Sequence, residues 1–416
     1  MTPRAPSVAG AIQIIVAALR PTGKETVALE AALGRTVAAE VVADVDLPLW
    51  DNSAMDGYAC RAEDIRGASS GTPVKLPVGE TIAAGSFPSR DLGPGETMRI
   101  MTGAPVPPGA DTVVRVEDTD EGVTTVLIHD ARDARANVRR RGEDVRTGDV
   151  VLRVGRAVRS AEIGMLAALG CGTVVVHRRP HVAILSSGDE LVGVDRVAEL
   201  HAGRRIISAN NHSLAAIVRE AGGEPVDLGI VPDDLAAMSA GLERGLGCDL
   251  IVTSGGISVG GLDYTREAVE ALGGGIAFWR VPMRPGYNSA FGTIRRTPWL
   301  GVPGNPVSAL VAGEVLLRPA IRALSGSRAP FHATHPVTTS EQMKGARDVT
   351  VYVRATLERN ADGKWLARSA GAQGSAILST SLRADALLVV PPGMSEVAPG
   401  TTLDALILRD ESAAAE

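Results

Sequence analysis

The chain has little cysteine, and what it has is scattered. Its three cysteines, Cys60, Cys171 and Cys248, lie far apart and form no Cys-x-x-Cys motif. Disulfide frameworks and structural zinc sites need cysteines that are more numerous or more closely spaced. We therefore expect free, mostly buried thiols, with neither a disulfide framework nor a zinc site.

A charge excess of one sign and long apolar runs are also lacking. The formal net charge is −6 over 416 residues, so there is no positive field to attract nucleic acid, and we expect no nucleic-acid partner. The apolar stretch at residues 8–19 is much shorter than a membrane span and lacks both a basic leader and a small-residue cleavage site. We interpret it as an amphipathic helix of a cytoplasmic protein with no membrane partner.

The chain is long and rich in glycine and proline. A chain of 416 residues exceeds what one compact core usually holds, so we expect two to four domains. Its 47 glycines and 25 prolines are spread throughout rather than gathered into linkers. This distribution predicts many short elements joined by tight turns.

The residue pattern changes along the chain. Residues 7–46 predict a helix, a second helix near 29–32 and a valine-rich strand at 37–42. Residues 47–137 contain short alternating runs punctuated by glycine and proline, which is typical of a small all-β unit. Residues 330–409 return to alternating strands and predict a small β-barrel or sandwich.

Between these regions, residues 179–325 alternate apolar strands with helices. The predicted strands are 182–185, 225–231, 250–253 and 300–302. The predicted helices are 210–221, 233–246, 263–272 and 306–324, the last with proline in its first turn. Continuous apolar strands separated by helices indicate a doubly wound α/β domain with a parallel sheet. The ligand crevice of such a sheet lies beyond the carboxyl ends of its strands.

Three of these strands end in polar, glycine-containing loops. The loops are Ser186-Ser187-Gly188-Asp189-Glu190, Thr253-Ser254-Gly255-Gly256 and Pro303-Gly304-Asn305-Pro306. Main-chain N–H groups and hydroxyls after a strand suit phosphate or another oxyanion, particularly where a helix begins. Three carboxylates, Glu190, Asp233 and Asp263, are expected at the same rim. Grouped carboxylates beside an anion need a bridging cation, and oxygen ligands suit Mg²⁺, which predicts a metal-assisted phosphate reaction.

Each signal also has a simpler interpretation. Asp233 and Asp263 stand where helix N-caps are expected, and a Ser-Gly-Gly sequence can be only a tight turn. Arg139-Arg140-Arg141 can be a solvated run of charge. His332-x-x-His335 has no further ligands in sequence, so we do not expect a metal pair there.

Taken together, the motifs resemble those of the molybdopterin molybdenumtransferases, the bacterial molybdenum insertases related to the E domain of gephyrin. The matching blocks occur in the order of that family and cover nearly the whole chain. They are Asp51-Asn52-Ser53-Ala54-Met55-Asp56-Gly57-Tyr58-Ala59, Met101-Thr102-Gly103-Ala104-Pro105, Arg140-Arg141-Gly142-Glu143-Asp144, Ser187-Gly188-Asp189-Glu190-Leu191, Ser254-Gly255-Gly256-Ile257-Ser258-Val259-Gly260, Asp263-Tyr264 and Val302-Pro303-Gly304-Asn305-Pro306-Val307-Ser308-Ala309.

The resemblance implies an elongated, four-domain homodimer with an active site shared between subunits. The implied domains are a discontinuous, elongated N-terminal domain of mixed structure that also dimerises (1–46 with 138–178), a small β domain (47–137), an α/β molybdopterin-binding domain (179–325) and a C-terminal β-barrel-like domain (326–411). Asp56 and Asp144 of one subunit would enter the crevice of the other.

The resemblance also implies the reaction. The substrates are adenylylated molybdopterin and molybdate, Mg²⁺ assists cleavage of the pyrophosphate, and the products are AMP and molybdenum cofactor. Further implied partners are the molybdopterin adenylyltransferase and the molybdenum enzymes that accept the product. The implied catalytic residues are Asp56, Asp144, Glu190, Asp233 and Asp263, of which the last three are also the metal ligands. The implied substrate-binding residues are Arg139, Ser187, Gly188, Asn210, Ser254, Gly255, Gly256, Ser258, Arg280, Arg284, Pro303, Gly304, Asn305, Pro306 and Ser375.

The chain departs from the family pattern in two places. Lysines, sometimes with an arginine, usually occupy the positions of Arg280, Arg284 and Tyr287, and a proline that of Asn288. An Asp-Thr pair is replaced by Ser208-Ala209. Guanidinium groups bind tetrahedral oxyanions well, but arginine does not release its proton near neutral pH and Tyr287 adds no charge. We therefore expect molybdate to bind, and its insertion to be less efficient than in a typical member of the family.

Two other functions stay open at the level of sequence. A paralogue that binds the pterin without inserting metal is favoured by the altered basic stretch. A related adenylyltransferase or hydrolase of nucleotide diphosphates shares the Ser-Gly-Gly loop, although the whole-length resemblance argues against it. The sequence does not distinguish molybdate from tungstate, nor does it identify the enzyme that receives the cofactor.

Overall fold

The computed structural model describes residues 5–256 and 264–408, which form two compact units. The first unit takes in Met1–Ala38, Val154–Ser160 and Thr173–Glu416 as far as they are described, and the second takes in Ala39–Arg153 and Ala161–Gly172. Within the described ranges, no helix combines the length and the apolar character that a membrane span requires. The predicted four-domain division is finer than these two units and stays a prediction.

The first unit begins with the helix Val8–Ala18, which confirms the predicted amphipathic helix. Ser7 caps this helix, since its hydroxyl accepts a hydrogen bond from the Gly10 N–H at 3.0 Å. Ala11 and Ile15 are buried in the same apolar core as the α/β sheet described below. The helix is therefore held by its apolar face.

The valine-rich strand predicted at residues 37–42 is wrong in extent. Only Val41–Val42 is a strand, whereas Val37 makes a single bridge to Val176. The run crosses from the first unit to the second after Ala38, so it does not continue as one strand.

A strand that the sequence did not predict lies just before this run. Lys24–Ala28 pairs antiparallel with Thr173–His177. Its residues are mostly exposed, so it lacks the apolar alternation that signals a strand. The helix expected near 29–32 is a single 3₁₀ turn, Glu30–Ala32.

The second unit is built around a five-stranded sheet, which confirms the small all-β domain. In spatial order its strands are Thr112–Arg115, Gly57–Cys60, Thr97–Ile100, Val74–Ile82 and Thr125–Ile128. Two short ribbons accompany the sheet, namely Asn52–Ser53 with Val138–Arg139 and Val41–Val42 with Val150–Leu152. The helix Ser160–Ala168 follows them in the chain.

A six-stranded sheet forms the α/β part of the first unit. In spatial order its strands are Glu224–Val231, His181–Ser187, Leu250–Ser254, Thr297–Val302, Ala290–Ile294 and Gly274–Trp279. The first four are parallel, but the last two are antiparallel edge strands. The expected parallel sheet therefore carries an antiparallel edge that the sequence did not predict. Three glycines in the edge pair weakened the strand signal.

Helices cover both faces of this sheet, which confirms the doubly wound fold. They are Ala209–Glu220, Leu235–Arg244, Tyr264–Ala271 and the segment that runs from Pro306 to Leu324. In the chain, the strand His181–Ser187 and the helix Ala209–Glu220 are separated by the short helix Val197–His201 and by a ribbon of Leu191–Val192 with Ile206–Ile207. Val182 and Ile184 belong to one apolar core, and Ala183 and Leu185 belong to the other. Side chains of a strand alternate between faces, so both faces of this strand are buried.

The helix predicted at residues 306–324 is interrupted. It consists of Pro306–Ala312, a π-helical turn at Gly313–Leu317, and Arg318–Leu324. Pro319 has no N–H to donate to a carbonyl one turn earlier, and a wider turn accommodates that loss.

The C-terminal part of the first unit is a closed barrel, as expected. Around the barrel the strands are Thr350–Arg359, Trp365–Ser369, Thr334–Thr339, Thr402–Ile407 and Ala386–Val390, which pairs back with the first. A ribbon of Met343–Ala346 with Met394–Val397 and the short helix Leu378–Arg383 complete it. The strand Met283–Arg284, from the α/β part of the chain, pairs parallel with Thr350 and Val351 of the barrel.

The three cysteines are free, as the sequence predicted, but the expectation that most of them are buried is wrong. Cys60 is buried, and Cys171 and Cys248 are half-buried. Burial raises the pKa of the Cys60 thiol to about 12, so this thiol stays protonated and unreactive at neutral pH.

Candidate active site

The strand-end loops meet at one edge of the α/β sheet. The Gly188 N–H donates to the Val231 carbonyl at 3.2 Å, and the Gly255 N–H donates to the Val302 carbonyl at 3.3 Å. Because the four strands are parallel, their carboxyl ends lie side by side. The structure thus brings together the loops that the sequence placed at the crevice.

Asn210 joins two of these loops. Its Nδ2 donates to Ser254 Oγ at 2.7 Å and to the Gly304 carbonyl at 2.8 Å. Its Oδ1 is buried and accepts no hydrogen bond within the described parts of the chain. A buried acceptor left open in this way is available to a ligand.

The Gly255-Gly256 pair is more than a tight turn. Both residues have positive φ, +92° and +67°, which favours glycine. A Cβ on Gly256 would lie 2.1 Å from Thr265 Oγ1 and 3.0 Å from Ser187 Oγ. Both hydroxyls are buried and have no hydrogen-bond partner among the residues described. Two open hydroxyls therefore flank a loop that no larger residue could form.

Glu190 and Asp233 lie at neighbouring strand ends. Both carboxylates are exposed, and the Asp233 N–H donates to Asp189 Oδ1 at 3.2 Å. The helix cap is Asp234, whose Oδ1 accepts from the Ala237 N–H at 2.9 Å. The interpretation of Asp233 as the N-cap is wrong, because adjacent aspartates look alike in sequence and only the backbone conformation selects one.

Asp263 and Ser258 lie outside the described residues. In the rest of the chain, no three His, Cys, Asp or Glu side chains are grouped so that they could hold a metal. The predicted triad of Glu190, Asp233 and Asp263 thus stays a prediction.

Asp56, Asp144 and Arg139 belong to the second unit. The Asp56 carboxylate accepts hydrogen bonds from the N–H and the hydroxyl of Thr102, at 2.6 and 2.8 Å. These bonds hold the pKa of Asp56 below its usual value. Asp56 and Asp144 are both exposed, so both side chains are accessible.

Two of the three arginines at residues 139–141 form exposed ion pairs, so the interpretation of the run as solvated charge holds for these two. Arg140 pairs with Asp51 and Arg141 with Asp46, both at 2.6 Å. Arg139 has no ion-pair partner within the described ranges and keeps its charge available for a ligand.

The basic stretch adopts a strained loop. Arg280 has φ +86°, which is uncommon for a residue other than glycine. Its guanidinium lies 5.8 Å from the centre of the Tyr287 ring, within the range of a cation–π contact. Arg280 Nε is buried without a hydrogen-bond partner in the described structure. Tyr287, which departs from the family pattern, therefore contacts Arg280, one of the two residues that keep a positive charge in this stretch.

Arg284 is exposed and lines a cleft of about 470 Å³ between its own strand and the barrel. We call this the Arg284 cleft. Its volume lies in the range of small-molecule sites. The cleft continues to Gly374, the residue before Ser375.

Ser375 lies beside the loop that follows the fourth parallel strand. Its Oγ accepts from Asn305 Nδ2 at 3.3 Å, and its carbonyl accepts from the Val307 N–H at 3.1 Å. The structure thus places the barrel residue predicted to bind substrate next to Pro303-Gly304-Asn305-Pro306.

Arg354 is a residue that the sequence reasoning missed. Only 1% of it is exposed, and it donates to Thr380 Oγ1 at 2.7 Å and to the Ala372 and Gly374 carbonyls at 3.1 and 3.2 Å. It therefore holds the loop that presents Ser375. A charged residue inside the apolar strand Thr350–Arg359 was the available signal, because buried charges need a specific reason.

Comparisons with known proteins agree along nearly the whole chain. Residues 6–170 match the family described as MoeA N-terminal region (domain I and II). Residues 183–323 match the probable molybdopterin binding domain. Residues 336–408 match the MoeA C-terminal region (domain IV).

Individual relatives match at nearly full length. Molybdopterin molybdenumtransferase 2 of Mycobacterium tuberculosis is 39% identical over 397 residues, which covers 94% of this chain and 96% of the relative. Molybdopterin molybdenumtransferase of Nostoc sp. is 36% identical over 405 residues, which covers 92% of this chain and 88% of the relative. The crystal structure of a molybdopterin biosynthesis moeA protein from Pyrococcus horikoshii has a TM-score of 0.84 at 25% identity, and the match covers 96% of this chain and 99% of that one.

Proposed function

Because the chain belongs to the molybdopterin molybdenumtransferase family, we propose that it transfers molybdenum from molybdate to adenylylated molybdopterin, cleaves the pyrophosphate, and releases AMP and molybdenum cofactor. The protein is a transferase of molybdenum cofactor biosynthesis. The reaction is proposed for the strand-end edge of the α/β sheet and the adjoining Arg284 cleft.

One observation carries this assignment to the site. Three buried polar atoms, Ser187 Oγ, Asn210 Oδ1 and Thr265 Oγ1, have no partner in the described structure, and they lie where the strand-end loops meet. Such atoms are costly unless a ligand uses them. Two hydroxyls can donate to phosphate oxygens, while the Asn210 oxygen can accept from an N–H group of the pterin or the adenine.

The residues present fit a divalent cation. Glu190 and Asp233 are exposed carboxylates at neighbouring strand ends and have no side-chain partner among the described residues. Together with Asp263 they would hold Mg²⁺, an ion that prefers oxygen ligands. The ion would polarise the pyrophosphate and reduce repulsion between the carboxylates and the substrate. Arg284 and Arg280 are proposed to bind the molybdate oxyanion.

The proposal includes a homodimer in which Asp56, Asp144 and Arg139 of one subunit complete the site of the other. It is supported by the family resemblance and by the location of these three residues in the second unit, whereas the crevice belongs to the first. We place the enzyme in the cytoplasm. We propose the molybdopterin adenylyltransferase as the source of its substrate and molybdenum enzymes as acceptors of its product.

The decisive experiment measures AMP release from adenylylated molybdopterin as a function of molybdate. Wild type is expected to release AMP only when both molybdate and Mg²⁺ are present, and Glu190→Gln is expected to bind the pterin without releasing AMP. If wild type binds the adenylylated pterin tightly and releases no AMP at any molybdate concentration, the protein is a pterin-binding paralogue instead.

The dimer proposal has its own test. Chains carrying Asp56→Ala and chains carrying Asp263→Ala are mixed, and the heterodimers are purified through two different tags. A shared site predicts that each heterodimer regains one intact site and therefore partial activity. Verified heterodimers that stay inactive would rule out the shared arrangement.

A further inference from the structure

The Arg284 cleft has an unusual charge composition. Its lining includes two cationic side chains, Arg284 and Lys344, and no Asp or Glu. Neutral groups that can donate hydrogen bonds, Gln342, Ser369 and Gln373, make up much of the remainder. The Glu341 carboxylate accepts from the N–H of one lining residue, Ser369, at 2.9 Å. The two cations of the lining outnumber this neighbouring acid, so the cleft favours anions.

Lys344 is a rare kind of residue in this protein. Of the 42 lysines and arginines, four are lysine, and Lys344 is the one that lines the cleft. Its side chain is exposed and forms no ion pair or hydrogen bond within the described ranges. Arginine serves nearly everywhere else, so Lys344 is one of the few ammonium groups of the chain, and it adds a second positive charge to the cleft beside Arg284.

The acidic group opposite Lys344 does not explain its presence. Glu396 faces Lys344 across the ribbon of Met343–Ala346 with Met394–Val397. However, the Glu396 carboxylate accepts a hydrogen bond from Gln342 at 3.3 Å, and Glu396 does not line the cleft. The two residues are also farther apart than an ion pair, so the ammonium is left for a ligand.

Strand pairing fixes both cations in one frame. Arg284 pairs with Val351 of the barrel, and the ribbon that carries Lys344 packs against the same barrel strand. Next to Lys344, a Cβ on Gly345 would lie 2.0 Å from the Met394 carbonyl. The ribbon can therefore close only with glycine at this position, and the main chain beside Lys344 has little freedom. The two residues therefore line one cleft from strands whose backbones are fixed, so an anion in the cleft can contact both cations.

We propose that Lys344 is a substrate-binding residue, and that its ammonium supplies beside Arg284 the positive charge that Tyr287 lacks. The ligand class is a tetrahedral oxyanion, which under the proposed function is molybdate. A guanidinium fork on one side and an ammonium on the other satisfy such an anion from two directions. The inference rests on the proposed function for the identity of the anion.

The test compares three variants of the full-length protein. Molybdate binding is measured by isothermal titration calorimetry, and the molybdate concentration for half-maximal AMP release is measured in parallel. We expect Lys344→Met to weaken both by about tenfold, the low end for losing one charged hydrogen bond, with little change in kcat. Lys344→Arg should restore both to within about threefold of wild type, because it restores the charge. Lys364→Met removes an exposed lysine on another barrel turn and should change neither.

The outcomes separate this inference from the proposed function. If wild type binds molybdate and Lys344→Met binds it equally well, Lys344 is not a ligand, whatever the AMP assay shows. Equal weakening by Lys364→Met would assign the effect to net charge and would also overturn the inference. If wild type binds molybdate but releases no AMP, the proposed function fails while the binding comparison still decides the role of Lys344.

Discussion

Asn210 is the side chain on which the arrangement of the strand-end loops depends most directly. It is 7% exposed, and its amide donates to Ser254 Oγ and to the Gly304 carbonyl at 2.7 and 2.8 Å. Asn210→Asp keeps the volume but removes both donors and places a carboxylate oxygen opposite the Gly304 carbonyl. Each of the two lost hydrogen bonds contributes about 1 kcal/mol, and repulsion between the new carboxylate and the Gly304 carbonyl oxygen adds about 1 kcal/mol. We expect a loss of about 3 kcal/mol in transition-state stabilisation, which is roughly a hundredfold in kcat/KM.

The assay is kcat/KM for adenylylated molybdopterin at saturating molybdate, together with the thermal unfolding midpoint. Asn360→Asp is the matched control, since Asn360 lies in an exposed barrel turn where its Oδ1 only accepts hydrogen bonds, and an aspartate accepts them as well. Asn210→Ala separates lost donors from added charge and should cost less than Asn210→Asp. A kcat/KM for Asn210→Asp within threefold of wild type would refute the reasoning.

Asp233→Asn should abolish AMP release and leave the unfolding free energy unchanged, because this exposed carboxylate caps no helix. Asp234→Ala should leave AMP release unchanged and lower the unfolding free energy by about 1 kcal/mol, because Asp234 is the cap. Although burial by itself raises the pKa of Glu314, its hydrogen bonds to His332 and a neighbouring arginine lower it to about 2 from 4.5. Glu314 therefore contributes stability above pH 4.5, and this contribution is lost as the pH falls toward 2. At neutral pH the unfolding free energy of wild type should exceed that of Glu314→Gln by about 3 kcal/mol. Denaturant unfolding should show this difference shrinking as the pH falls from 4.5 to 2. Tyr287→Lys should lower the molybdate concentration for half-maximal AMP release severalfold, because it adds a positive charge to the basic stretch; an unchanged titration would show that the departure at Tyr287 is neutral.

The strand ends were predictable because buried parallel strands leave a simple pattern. The runs 182–185 and 250–252 are continuously apolar, and each is followed by two hydroxyl residues and a glycine, so both the strand and the loop were visible. The edge strand Gly274–Trp279 was not visible, since its glycines carry no side-chain pattern.

The contacts that complete the site could not be predicted from sequence. Arg354 and Ser375 lie in the barrel, far along the chain from the loop Pro303-Gly304-Asn305-Pro306, and no local pattern encodes that distance. The choice between Asp233 and Asp234 as helix cap depended on backbone angles. The contact of His332 with Glu314, at 3.1 Å, joins residues 18 positions apart and had no sequence signal.

The pairing of Met283–Arg284 with the barrel strand has a consequence for the order in which the protein is made. On the ribosome, residue 284 emerges well before residues 350 and 351, which are its partners. A nascent chain that ends before the barrel contains every parallel strand of the α/β sheet, together with Arg280 and Arg284. It lacks the barrel strands that form the second wall of the Arg284 cleft. Since domains fold as they are synthesised, the protein can form its strand-end loops before it has an enclosed Arg284 cleft. A chain truncated ahead of the barrel would retain the loops without the cleft.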